Sequence, residues 1–95
     1  MRLPLFSSRE AAPFPNLVGI QHPALEMLPT VLVCPIQEAA AVTNLRTTIE
    51  WQGNRYTVLC DLARPINRKG LRHMGDLDAE TSERIMETFV RLLAL

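Results

Sequence analysis

The stretch from Arg46 to Asp61 constrains the fold more than any other. Two runs, Arg46 to Trp51 and Arg55 to Asp61, alternate side-chain character on either side of Gln52-Gly53-Asn54. Gly and Asn accept the positive φ that a tight reversal needs, so the pattern predicts a β-hairpin. In the second arm Tyr56, Val58 and Cys60 fall on one face and Arg55, Thr57 and Asp61 on the other, with Leu59 interrupting the alternation. That period of two belongs to a half-exposed strand.

Further strands are expected upstream. Residues Met1 to Pro15 hold Pro4, Pro13 and Pro15 with Ser7-Ser8; because proline lacks the donor N–H, this stretch predicts an imperfect edge strand at Leu3 to Phe6 and then a loop. Asn16 to Gln21 has the short, β-branched character of a strand that ends before His22-Pro23. After a connector at Ala24 to Met27, Pro29 opens the continuous apolar run Thr30 to Ile36, which predicts a central strand covered on both faces. Gln37 to Leu45 is compatible with a helical turn or a loop. Past the hairpin, Ala63 to Ile66 extends the sheet, Asn67 to Gly70 is a turn, and Leu71 to Gly75 follows it.

The chain ends in a helix. Asp78 is the expected N-cap, Glu80 and Glu83 suit the positive N-terminal end, and Ile85, Met86, Phe89, Val90, Leu92 and Leu93 form a wide apolar face that has to be buried. A run of strands closed by one helix points to a mostly β, α+β or small barrel-like architecture. Ninety-five residues bury enough surface for one core, so a single domain over 1–95 is expected. Aromatic residues make up only 5%, so that core is built from aliphatic side chains, and leftover apolar surface would suit a dimer.

Composition narrows the function classes. Ten basic and ten acidic residues cancel, whereas a chain whose main partner is nucleic acid usually carries a basic excess. The longest apolar run is far short of the roughly 20 residues that span a bilayer, and the N-terminus is too short for a secretory signal, so a cytoplasmic protein without a membrane span is expected. Cys34 and Cys60 each sit in an apolar run and read as reduced core residues. His22 and His73 lack ligand spacing to a second donor, which favours structural or surface roles and gives no metal or cofactor site. Asp76, Asp78, Glu80 and Glu83 cluster where the helix dipole already explains them. Arg64, Arg68, Lys69, Arg72 and His73 form the one basic cluster, read either as a solvated loop or as a contact to phosphate. Trp51, at the lip of the hairpin, is read as a packing partner.

The order Leu17-Val18-Gly19-Ile20-Gln21, then Thr30-Val31-Leu32-Val33-Cys34-Pro35-Ile36, resembles the opening of CcdB toxins, where a strand ending in Val-Gln precedes one ending in Ile-Pro-Leu. Thr48 to Trp51 through Tyr56-Thr57-Val58 resembles the hairpin of that family, and Gly75-Asp76-Leu77-Asp78 resembles its approach to the C-terminal helix. The resemblance runs from Asn16 to Leu95. It implies the CcdB/MazF fold: a twisted antiparallel sheet forming an SH3-like barrel, a small extra sheet, a C-terminal helix and a symmetric homodimer. It also implies a cognate antitoxin whose disordered tail folds along the toxin.

Under that resemblance the chain has no reaction and no cofactor of its own. Toxins like CcdB wedge their paired C-terminal ends into the A subunit of DNA gyrase. The implied target-binding residues are Ala24, Leu25, Phe89, Leu92, Leu93, Ala94 and Leu95, with Leu93-Ala94-Leu95 standing where the family carries Trp, Gly and a final aliphatic residue. Two alternatives share the fold. One is a MazF-like endoribonuclease, for which Thr30, Arg46 and Arg64 are the candidate residues. The other is a module that only binds an antitoxin.

Overall fold

The computed structural model describes residues 1–9, 12–21, 27–38, 41–43 and 45–94. His22, Ala24, Leu25 and Leu95 lie outside the described residues. Strand β3 (Thr30–Gln37) runs through the middle of a seven-stranded sheet. On one side it pairs with β2 (Leu17–Gly19), which pairs with β1 (Pro4–Ser7), which pairs with β7 (Arg72–Asp76). On its other side it meets β6 (Arg64–Asn67) through Thr30 to Val33, and then β5 (Asn54–Leu59) through Ile36 and Gln37. Strand β4 (Arg46–Trp51) completes the hairpin with β5, and every pairing is antiparallel. The curled sheet with its C-terminal helix α1 (Ala79–Leu93) is an SH3-like barrel, as expected.

The central strand shows why the sheet needs two cores. Its side chains alternate: Val31 and Val33 pack with Phe6 and Leu17 on one face, and Cys34 and Ile36 join Leu5, Val18, Ile49, Val58 and Ile85 on the other. An eight-residue run with almost no polar position is what burial on both faces requires. The hairpin forms as its sequence predicts, with a shorter turn: Trp51 pairs with Asn54, and Gln52 and Gly53 take φ of 49° and 82°, the doubly positive reversal that suits the twist of the arms.

Three expectations need correction. Strand β1 is no edge strand but sits between β2 and β7; Pro4 is tolerated there because it is the first residue of the strand, where a missing donor costs least. The exposed face of β5 is confined to its first residues, since Thr57 and Leu59 are buried as well as Tyr56 and Val58. Beyond Leu59 the backbone leaves the ladder for a 3-10 turn, Cys60–Leu62, so Cys60 and Asp61 are not strand residues.

The two ends of the sheet meet through one aromatic contact. Trp51, at the end of β4, packs its indole against Gly75 on β7, where an added Cβ would stand 2.6 Å from Cζ2 of the indole and closer still to Cη2. Packing is therefore the role of Trp51, and Gly75→Ala is expected to destabilise the chain by about 1–3 kcal/mol through overpacking, read as a lower midpoint in urea with the slope unchanged.

Helix α1 begins where expected: Asp78 Oδ1 accepts from the Thr81 amide at 2.6 Å. The first turn is tied to the N-terminus, because the Leu3 amide donates to buried Ser82 Oγ at 2.9 Å and Leu77 N donates to Leu3 O at 2.9 Å. Arg84 ties the helix to β4 by donating to Thr48 O at 2.8 Å. Ile85 is fully buried, with Met86 and Phe89 packed beside it. The apolar face is narrower than the sequence implies, since Val90 is 58% and Leu93 71% exposed. Val90 stands about 140° around the helix from Ile85, off the stripe that meets the sheet.

Candidate nucleic-acid interface

A cleft of about 470 Å³ opens beside the edge strand β7, lined by Ser7, Ser8, Arg9, Lys69, Gly70, Leu71 and Arg72. Its cations come from three places in the chain, each fixed locally. Ser7 Oγ accepts from the Arg9 amide at 3.1 Å and donates to Arg9 O at 3.0 Å, which sets Arg9 at the exit of β1. Asn16 holds the same bend from across the loop, its carbonyl oxygen accepting from Ser8 N at 2.9 Å and its amide donating to Ser8 Oγ at 2.8 Å. Lys69 sits in a 3-10 turn, Arg68–Gly70, capped by Asn67, whose side chain accepts from Lys69 N at 2.9 Å. Arg72 opens β7 opposite Ser7 and donates to Ala12 O. Among the described residues no carboxylate pairs with Arg9 or Lys69, and none lines the cleft. Three cations around one concavity, with no counter-charge among the described residues, suit an anionic, extended ligand such as a phosphate backbone.

His73 follows Arg72 on the same edge strand. Its Nε2 lies 2.9 Å from Asp76 Oδ1, and its ring meets Phe6 edge to face with centroids 6.0 Å apart. The carboxylate orients the imidazole, an arrangement able to take up and return a proton. Arg68, counted with the basic cluster, has a structural job: its Nε donates to Leu28 O at 2.7 Å and its amide to Pro29 O at 2.9 Å, pinning the segment ahead of β3.

The structure does not gather Thr30, Arg46 and Arg64 into one site. Thr30 faces Asn67 and Arg64 faces Val33, three register positions apart on the β3–β6 ladder. Arg46 is held in a two-pronged ion pair, Nε to Asp61 Oδ1 at 2.9 Å and Nη2 to Oδ2 at 3.0 Å. That hydrogen-bonded guanidinium lowers the Asp61 carboxyl below its ordinary value, so the unfolded chain takes up the proton first as pH falls. The pair's contribution is present above about pH 4 and is lost as pH drops through the folded value. The gap in Tm between the native chain and Asp61→Asn is accordingly expected to be full at pH 7 and to shrink below pH 4, measured by thermal melts.

Of the target-binding residues that the resemblance implies, Phe89 and Leu92 are partly buried, Phe89 against the core, while Leu93 and Ala94 are exposed. Only the last two present themselves to a partner among the described residues. Arg9 and the two serines escaped the sequence reading because they lie 60 to 62 positions from Lys69 and meet it only when β1 pairs with β7. A second concavity, of about 260 Å³, lies between the hairpin and the start of α1, where Arg84 is already bonded to β4. No group of three or more metal-ligating side chains occurs among the described residues, and no described helix is long and apolar enough to cross a membrane.

No protein-family model matches the chain, and no curated protein matches it. Among solved structures it is similar to the Mycobacterium tuberculosis toxin MazF-mt6, with a TM-score of 0.76 at 16% identity, over 100% of this chain and 98% of that one. The match is to a toxin of the MazF kind, the alternative set beside the CcdB resemblance, and it overturns the expectation of a chain with no chemistry of its own. From end to end, the chain has the fold of a MazF toxin.

Proposed function

We propose that the chain is the toxin of a type II toxin–antitoxin pair, acting in the cytoplasm as a homodimer restrained by a cognate antitoxin, and that it cleaves RNA held along the Arg9–Lys69–Arg72 cleft. The observation that carries this reading is the match to a MazF toxin over the full length of both chains. The cleft supplies what an RNA-cutting protein of this fold needs first, a cationic track for the backbone. Lys69 and Arg72 neutralise phosphate oxygens and hold the strand in register, and Arg9 closes the track from the other wall. His73 is the next residue along the edge strand β7 after Arg72, which lines the cleft.

There His73 takes the proton of a ribose 2′-hydroxyl as that oxygen attacks the neighbouring phosphorus, and Asp76 stabilises the imidazolium that forms. The P–O5′ bond breaks, the departing 5′-oxygen takes a proton from solvent water, and the products are a 2′,3′-cyclic phosphate and a 5′-hydroxyl. Cations beside the phosphate stabilise the charge that builds on its oxygens. The test is incubation of purified protein with single-stranded RNA, plus primer extension on RNA from expressing cells. New 5′ ends at defined positions are expected, and intact RNA in both assays would overturn the reading.

A second reading rests on a separate observation. Val90 and Leu93 expose aliphatic side chains at the end of α1, the part of the chain that, by its resemblance to CcdB toxins, would meet DNA gyrase. Dose-dependent accumulation of cleaved, protein-linked DNA with purified gyrase, alongside intact RNA, selects this reading over the first.

A further inference from the structure

Cys34 and Cys60 are both free and both fully buried, and the proposed chemistry uses neither. Cys34 lies on the central strand and Cys60 opens the 3-10 turn on which α1 rests. The 3-10 turn that Cys60 opens packs directly against the central strand. The two thiols are in hydrogen-bond contact, and both belong to one cluster of core side chains. Two buried thiols already in contact need little movement to reach the geometry of a disulfide.

We infer that Cys34 and Cys60 form a reversible intramolecular disulfide, a redox latch fastening the central strand to the seat of α1. The oxidant is a small peroxide, whose size suits a core that larger disulfide reagents reach only after opening. The Cys60 sulfur attacks one peroxide oxygen, the O–O bond breaks, and a sulfenic acid forms with loss of one water. The Cys34 sulfur then attacks the sulfenic sulfur, its proton leaves with the hydroxyl as a second water, and the S–S bond forms. In total two thiols lose two electrons and two protons to one peroxide. The hydrogen bond to Cys60, aided by burial, holds the Cys34 thiol well above the ordinary range, so Cys60 is the sulfur that reacts first. The link closes the loop from residue 34 to residue 60, which restricts the unfolded chain more than the native one.

The experiment is titration of the native full-length protein with hydrogen peroxide, followed by alkylation under denaturing conditions and intact-mass and peptide analysis. The expected result is loss of both alkylation sites, a 34–60 cross-linked peptide, and a Tm raised by about 10 °C that returns on adding dithiothreitol. Cys34→Ala is expected to leave a sulfenic acid on Cys60 that dimedone traps. Retention of both free thiols, overoxidation of either one without a link, a link only between two chains, or a lowered Tm would each overturn the inference. The wild-type arm decides the matter if the variant does not fold, and no arm depends on whether the chain cleaves RNA.

Discussion

Replacing Arg9, Lys69 and Arg72 together by alanine is expected to weaken binding of a single-stranded RNA on the order of 10²-fold at low salt and to flatten its log–log salt dependence by about 2. The flattening is the more telling number, because each cation that leaves the phosphate track removes one released counterion. Arg72 also donates to Ala12 O, so its loss alone loosens the loop after β1. The Arg9→Ala, Lys69→Ala double variant keeps that anchor and still carries most of the slope change. His73→Ala has the opposite signature: RNA stays bound with its salt slope intact, and cleavage slows by about 10²-fold or more. Fluorescence anisotropy across a salt series, beside single-turnover cleavage, separates the two. An unchanged slope in the double variant would move the backbone track elsewhere, and undiminished cleavage in His73→Ala would move the proton transfer.

The formal net charge of zero argued against nucleic acid as a default partner, and the structure shows why a sum misleads here. Glu80, Glu83 and Glu87 ride on α1, and Asp61 and Glu50 pair with Arg46 and Arg55 on the hairpin side. The cations of the cleft gather beside β1 and β7 around one concavity whose lining, among the described residues, holds no carboxylate. Folding separates the signs that composition cancels, so a neutral chain acquires a cationic surface.

What sequence periodicity resolves is local. The hairpin, the doubly covered central strand, the Asp78 cap and the terminal helix each rest on spacings of two to four residues, and each forms. The part played by β1 did not show, because prolines mark where a donor is missing and not which strands lie alongside. Pro4 at the first position leaves Leu5 and Phe6 free to pair on both sides. The cleft needs Ser7 opposite Arg72, a pairing 65 positions apart in the chain that no period encodes. The thiol pair was legible only in part: two buried cysteines follow from their apolar runs, and their contact comes from the packing of the 3-10 turn on the central strand.

The contrast between two aliphatic residues on α1 carries the second large effect. Ile85 is fully buried beneath the helix, among core side chains that include Cys60 and Leu77. Ile85→Ala removes buried methylenes and leaves a cavity, at a cost of about 2–5 kcal/mol. For a chain of this length that is a large part of the whole stability and lowers Tm by roughly 10 °C or more. Leu93→Ala removes a similar group that the single chain leaves 71% exposed, so its effect on the stability of a dilute, monomeric chain is expected within about 0.5 kcal/mol. If Leu93 instead meets a second copy or a target, the same substitution weakens association and spares the fold. Sedimentation over a dilution series, beside thermal melts of both variants, distinguishes the cases. Equal losses of Tm that do not vary with protein concentration would mean that the last turn of α1 is seated on its own core, and the exposed helix end would then give no foothold for a partner.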